Sequence, residues 1–304
     1  MTKYPMLLTP CPRSMIWGGN RLKTKFNKVA PFDTLGESWE LTCRPEAEST
    51  IANGVYKGQR LCDVINCTDS FPLLIKFIDA RDDLSVQVHP DDNVTDENGH
   101  SLGKTEMWYI IEADKGSELI YGLRDDVSEQ RFEELVRRGD FENALNRVKV
   151  KAGDCYFIPA GQVHAIGKGI LLAEIQQNSD TTYRLYDYGR LDNNGKQREL
   201  HIEKALSVIK KFSTEDIDGI RFSLGNSINS LANCSKFSVY LKSAPTNTIS
   251  ASPFSALVCI SGKGKIICGD NHYTASAGDT FYCPEGLEME ITGNLTFIEA
   301  ISNT

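Results

Sequence analysis

The stretch GDCYFIPAGQVH at residues 153–164 is nearly repeated as GDTFYCPEGLEM at residues 278–289. Superimposing the two pairs Gly153 with Gly278, Asp154 with Asp279, Pro159 with Pro284 and Gly161 with Gly286, and sets Tyr156 and Phe157 against Phe281 and Tyr282. The kept spacing reads as two related β units. In each, a strand is entered through a Gly-Asp turn and left through a Pro-x-Gly turn, where glycine takes backbone angles that a side chain forbids. The residue after the second turn then points into the unit. In the first copy it is His164; in the second it is Met289.

The spacing G-x5-P-x-G-x2-H resembles the second signature of the cupin β-barrel, which makes His164 the implied metal ligand. Extending the alignment upstream, with a gap for an insertion, places Glu106 of EMWYIIEA opposite Ser255 of SALVCISG. The second unit therefore lacks the carboxylate as well as the imidazole. One barrel is expected to bind metal and the other to support structure.

In SVQVHP, Gln87 and His89 are two residues apart, so on a strand they project to one face. Glu106 opens a later strand. Together with His164 these form a set of two imidazoles, one carboxylate and one amide oxygen, which suits a borderline divalent ion such as zinc. Any one of them alone is an ordinary polar residue; the same-face pair, the following carboxylate and the His after Pro-x-Gly carry weight together. His100, His201 and His272 lack such a context.

Outward from these motifs, the N-terminal hundred residues read as strands and turns, with SWELTCRP, LLIKFIDA and LSVQVHP punctuated by Gly, Pro and Asp. A helical insertion is expected over about 127–147, with Ser128 as N-cap, a break near Gly139, and Phe132, Leu135 and Val136 on one face. An amphipathic helix follows over about 200–212, with Ile202, Leu206 and Ile209 on one face, and then a loop-rich stretch. The expected fold is mainly β: two cupin-type, jelly-roll-like barrels. Residues 1–234 form a catalytic, metal-binding domain carrying the insertion and the helix, and 235–304 form a degenerate cupin domain.

With 304 residues, 40% of them hydrophobic, the chain can bury a sizeable core. Its formal charge of -8 gives no basic footprint for nucleic acid or an anionic membrane. Pro5, Pro10 and Pro12 interrupt what would be the apolar core of a signal peptide, and a cytoplasmic location is expected. The nine cysteines show no C-x-x-C and read as reduced, mostly buried thiols.

QVHP, KTEMWY, PAGQVHAI, NSDTTYRLYDYGR and RELHIEKAL together closely resemble class I mannose-6-phosphate isomerase in its short bacterial form, from IWGG at 16–19 through to the degenerate C-terminal cupin. The resemblance implies one zinc ion per chain on Gln87, His89, Glu106 and His164, the glutamine standing where common cupins have a first histidine. It implies a phosphosugar substrate, mannose 6-phosphate interconverting with fructose 6-phosphate; a monomer or weak homodimer is expected. It also implies catalytic roles for Arg184 and Lys104 and substrate-binding roles for Lys76 and Asp180. Trp17 of IWGG, and after it Glu40 of SWEL, are candidates for a sugar-facing wall.

Two features depart from the family. The large helical domain of the longer enzymes shrinks to roughly 127–147, and the histidine frequent before the lysine of the glutamate motif is Gly103. The base that moves the proton stays unassigned at this level. Two other readings are a non-catalytic sugar-binding cupin and a metal-dependent cupin oxygenase; Gln87 and the phosphate-suited cations disfavour the oxygenase.

Overall fold

Residues 73–80 and 170–177 are strands buried along most of their length and 106–113 a strand buried along half of it, and side-chain alternation assigns each face a different task. Leu73, Ile75 and Phe77 of the strand Leu73–Ala80 pack with Leu171, Ala173 and Ile175 of Ile170–Gln177 in one apolar cluster. The alternate residues Lys76, Glu174 and Gln176 are also buried, but on the opposite face. One side of the sheet is thus a core face; the other carries charge.

In this computed structural model, which describes residues 1–67, 71–191, 195–250 and 252–304, four sheets form among the described residues. A six-stranded sheet runs Cys155–Ile158, Glu106–Ala113, Ile170–Gln177, Leu73–Ala80, Glu37–Leu41 and Cys11–Arg13. A five-stranded sheet runs Leu145–Lys149, Glu118–Leu123, His164–Ile166, Val86–Val88 and Tyr183–Tyr186. Leu119 and Ile166 from the second sheet share a cluster with Trp108, Ile110, Ile158 and Leu172 from the first, so the two sheets face each other. A short pairing of Cys43–Arg44 with Ala47–Glu48 stands apart.

The outer face of the five-stranded sheet is covered by helices. Val86, Val88, Ala165 and Leu185 pack there against Phe132 and Val136 of the helix Glu129–Arg138 and Ala205 of the helix Ile202–Val208. Ser128 caps the first helix by accepting from the Arg131 backbone N–H, and Gly139 ends it at a φ of 72°. A 3-10 turn, Glu142–Ala144, completes the insertion. The stretch read as loop-rich contains one more helix, Thr214–Arg221. Its start is a reciprocal capping box in which Asp216 takes the place of the usual Glu, closing on the Ser213 backbone N–H.

A nine-stranded sheet backs the six-stranded one, built around the long antiparallel strands Phe254–Cys268 and Glu288–Ser302. Two N-terminal strands, Met6–Thr9 and Thr50–Ile51, complete it; Met6 pairs with Tyr282 and Leu8 with Ile51. Ala256, Val258, Ile298 and Ala300 press against the core face described above. A buried ion pair locks the same junction: Lys28 Nζ lies 2.7 Å from Glu40 Oε2, which also accepts from Thr280 Oγ1 at 3.1 Å.

The strand registers reproduce the internal repeat. Ile158 pairs with Glu106 and Tyr156 with Trp108; the counterparts Cys283 and Phe281 pair with Ser255 and Leu257. Across the next strand, Glu174 pairs with Trp108 as Glu299 pairs with Leu257. Gly153, Gly161, Gly278 and Gly286 all hold positive φ at the two shared turns. Where the first unit gathers ligands, the second is filled: Met289 packs with Leu257, Phe281, Ile291 and Phe297. Met289→His is expected to place an imidazole without a partner among these apolar side chains, lowering stability by about 2–4 kcal/mol without creating a metal site. Denaturant unfolding and metal analysis of the variant check both halves of that expectation.

Candidate metal centre

His164, Gln87 and Arg184 lie in one row across the five-stranded sheet, because Gln87 is the register partner of His164 on one side and of Arg184 on the other. Cross-strand partners share a face, so all three side chains enter the space between the sheets. His89 follows the strand Val86–Val88 by one residue, on the same face as Gln87. Glu106 comes from the opposite, six-stranded sheet.

Both imidazoles are oriented by backbone carbonyls. His89 Nδ1 donates to the Thr181 carbonyl and His164 Nδ1 to the Gln162 carbonyl, each at 2.8 Å. A carbonyl only accepts, so each ring is protonated at Nδ1 and presents its Nε2 lone pair to the interior. The two Nε2 atoms are 3.2 Å apart, and the Gln87 amide nitrogen lies 3.3 Å from that of His164 while its oxygen accepts from Ser85 Oγ at 3.2 Å. Glu106 places Oε2 3.5 Å from His89 Nε2 and Oε1 3.5 Å from His164 Nε2.

Two lone pairs and a carboxylate facing one another in a buried space repel unless a cation lies among them. His89, Glu106 and His164 offer ligand atoms within 4.8 Å of one another, and Glu106 Oε1 is buried with no hydrogen-bond partner among the described residues. Burial holds the His164 ring at a pKa of about 3, and burial with the nearby Lys104 charge holds His89 well below its ordinary value. Two neutral imidazoles and a carboxylate are donors that a divalent metal takes. The residues fit such an ion. Carbonyl-anchored Nδ1 atoms are also the usual support of metal-binding histidines.

Lys104 meets the same cluster from the side, with Nζ 2.9 Å from His89 Nε2 and a hydrogen bond to Glu106 Oε2. Above it opens a cavity of about 530 Å³, lined by Trp17, Lys76, Gln87, Lys104, Asp180 and Arg184 among others. Outside the buried trio of His89, Glu106 and His164, every residue singled out from the sequence reaches this one cavity except Glu40.

The cavity wall adds groups that the sequence reading did not single out. Glu174 lies with Oε1 3.2 Å from Lys76 Nζ and accepts at Oε2 from the Trp108 indole N–H at 2.8 Å. Burial alone would raise its pKa, but Lys76 and Lys104 outweigh burial and hold it at about 2. Burial would lower Lys76, yet Glu174, Glu37 and Asp180 hold it above its usual range. Glu106, by contrast, is pushed up to about 7 by burial and by the Glu174 charge, with Lys104 opposing. Glu37 and Trp39 also line this wall, Trp39 donating to Glu37 Oε2 at 2.7 Å. Glu40 falls on the other face of that strand, at the junction with the second unit.

A usable signal for Glu174 was a single carboxylate inside the apolar run GILLAEIQQ, the counterpart of the single lysine inside LLIKFIDA. The two are register partners.

The type I phosphomannose isomerase catalytic-domain model matches residues 6–132. A mannose-6-phosphate isomerase of Bacillus subtilis is 40% identical, over 96% of this chain and 97% of its own length. One from Streptococcus mutans is 38% identical over 98% of both chains. The crystal structure of the mannose 6-phosphate isomerase from Bacillus subtilis superimposes with a TM-score of 0.86 at 34% identity, covering 98% of this chain and 99% of that one. The gathered ligands, the duplicated β unit and these full-length likenesses converge: the chain belongs to the type I phosphomannose isomerase family.

Proposed function

We propose that the chain is an aldose–ketose isomerase interconverting mannose 6-phosphate and fructose 6-phosphate, with one zinc ion held by Gln87, His89, Glu106 and His164. The observation that carries this reading is the position of the buried ligand cluster, which forms the floor of a polar cavity walled by lysine and arginine. In the same reading residues 1–234 carry the chemistry and 235–304 back them, and the chain acts as a monomer or weak homodimer in the cytoplasm.

Isomerisation moves a proton between adjacent carbons through an enediolate, so the site must hold two substrate oxygens and stabilise developing negative charge. A redox-inert dication, when bound, supplies polarisation of those oxygens. Lys104, beside Glu106 and His89, is placed to donate to an oxygen at the cavity floor. Arg184 enters from the other sheet and has no carboxylate partner among the described residues; its Nη1 donates to the Glu199 carbonyl at 2.8 Å and its Nε to Ser85 Oγ at 3.3 Å. Lys76 and Glu174 keep a fixed pair of opposite charges on the wall, suited to hydrogen bonding sugar hydroxyls. Trp17, 3% exposed, gives that wall an apolar segment.

The direct test is a coupled assay for fructose 6-phosphate on metal-stripped protein with zinc restored. Turnover is expected to require zinc and to fall by about a hundredfold or more in His164→Ala, together with loss of the single bound zinc. No turnover by folded, zinc-loaded protein would overturn the isomerase reading and favour a sugar-binding module.

A second expectation concerns the wall. Lys76→Met leaves Glu174 buried without its nearest counter-ion and should cost about 3–5 kcal/mol of stability. The double variant Lys76→Met with Glu174→Leu should recover most of that loss while remaining inactive. Equal destabilisation in the single and double variants would show that the pair is not coupled.

A further inference from the structure

Two arginines share one carboxylate on the five-stranded-sheet side of the cavity, with Arg184 beside them. Asp187, 4% exposed, follows the strand Tyr183–Tyr186 and accepts from Arg198 Nε at 2.7 Å, from Arg198 Nη2 and from Arg190 Nη2. Arg190 spends its other donors on backbone, Nε on the Asp187 carbonyl at 3.2 Å and Nη1 on the Asp83 carbonyl. It is a brace and does not line the cavity. Arg184 and Arg198 do line it.

Neither of these two has spent its whole fork. Arg198 directs Nε and Nη2 at Asp187, and Nη1 has no partner among the described residues. Arg184 directs Nε at Ser85 and Nη1 at the Glu199 carbonyl, and its Nη2 is likewise without a partner among the described residues. Three guanidinium charges against the carboxylates of Asp187 and Glu199 leave an excess of one positive charge. Arg184 feels it: burial first, and then the Arg198 charge, lower its pKa. Like charges held together at a cavity wall are relieved by an anion with several oxygens, and the guanidinium fork matches a phosphate monoester.

We propose that Arg198, oriented by Asp187, forms with Arg184 the phosphate subsite of the cavity. The inference rests on the isomerase reading and divides the labour within it. Arg184 and Arg198 take the phosphate on the five-stranded-sheet side, and the carbonyl end of the open-chain sugar reaches the floor at Lys104. The phosphate and the reacting carbons lie at opposite ends of that molecule. Asp187 is a positioning residue that fixes the fork; Arg198 touches the ligand.

The test compares full-length, zinc-loaded wild type with Arg198→Ala and Arg198→Lys. It measures binding of inorganic phosphate and of mannose by calorimetry, together with KM and kcat for mannose 6-phosphate. In Arg198→Ala, phosphate binding should weaken and KM should rise by about 10- to 100-fold, the loss of one or two charge-assisted hydrogen bonds. The value of kcat should stay within about threefold, mannose binding should not move, and zinc content should match wild type. Arg198→Lys keeps Asp187 paired and so separates folding from recognition; as a point charge it should restore phosphate binding only in part. Unchanged phosphate affinity and KM in either folded variant would overturn the subsite. A wild type that binds phosphate through Arg198 but does not turn over mannose 6-phosphate would sink the isomerase reading and leave the subsite standing.

Discussion

Everything in the first unit is arranged around one electrostatic problem: two imidazole lone pairs and a carboxylate brought together out of water. The Thr181 and Gln162 carbonyls hold the histidines in the tautomer that creates the problem, since each takes the Nδ1 proton and leaves Nε2 unprotonated toward the other ring, that of His89 meeting Lys104 Nζ at 2.9 Å. The two unprotonated Nε2 atoms lie 3.2 Å apart, and Lys104 reaches only that of His89. A bound dication resolves the problem, and Lys104 shows the same demand for positive charge from the edge of the cluster. Because the ligands come from opposing sheets, the site also depends on those sheets keeping their separation.

That separation explains the second unit. The six-stranded sheet carries Lys76, Glu174 and Glu106 on its inner face, so its stability rests on what its outer face can bury. Ile75, Phe77, Ala173 and Ile175 meet Val239, Ala256, Val258 and Ile298 of the C-terminal sheet there. The repeat keeps its strand registers and its glycine turns and loses its ligands. In place of His164 it has Met289, an adaptable apolar filler, and in place of Glu106 it has Ser255, whose hydroxyl donates to the buried Glu299 at 3.0 Å.

How much of this was legible in the sequence depended on whether a residue sat in a spaced motif. His164 was visible through the Pro-x-Gly turn, Gln87 and His89 through the period of a strand, and the insertion through Ser128, Gly139 and an apolar face. The register that sets Glu106 opposite Ile158, and Ser255 opposite Cys283, agrees with the alignment of the two copies. Glu37 belongs to no quoted motif, Glu174 is marked only as a lone carboxylate in an apolar run, and Arg198 opens RELHIEKAL without being singled out; tertiary pairing with Trp39, Lys76 and Asp187 gives them meaning. Glu40 illustrates the limit of reading one strand alone: in ESWEL, Glu37 and Glu40 both look available. The sheet turns Glu37 to the cavity and Glu40 to Lys28 at the junction with the second unit. The helix Thr214–Arg221 escaped notice because its capping box uses aspartate and its apolar face is short.

The claim that Gln87, His89, Glu106 and His164 hold zinc is tested most directly by zinc K-edge X-ray absorption on the purified protein. The expected spectrum shows one zinc per chain in a shell of nitrogen and oxygen only, at about 2.0–2.2 Å, with the multiple scattering of two imidazoles. A sulfur shell at about 2.3 Å would place the metal on some of the nine cysteines, and zinc without an imidazole signature would place it elsewhere. Either result would contradict the assignment.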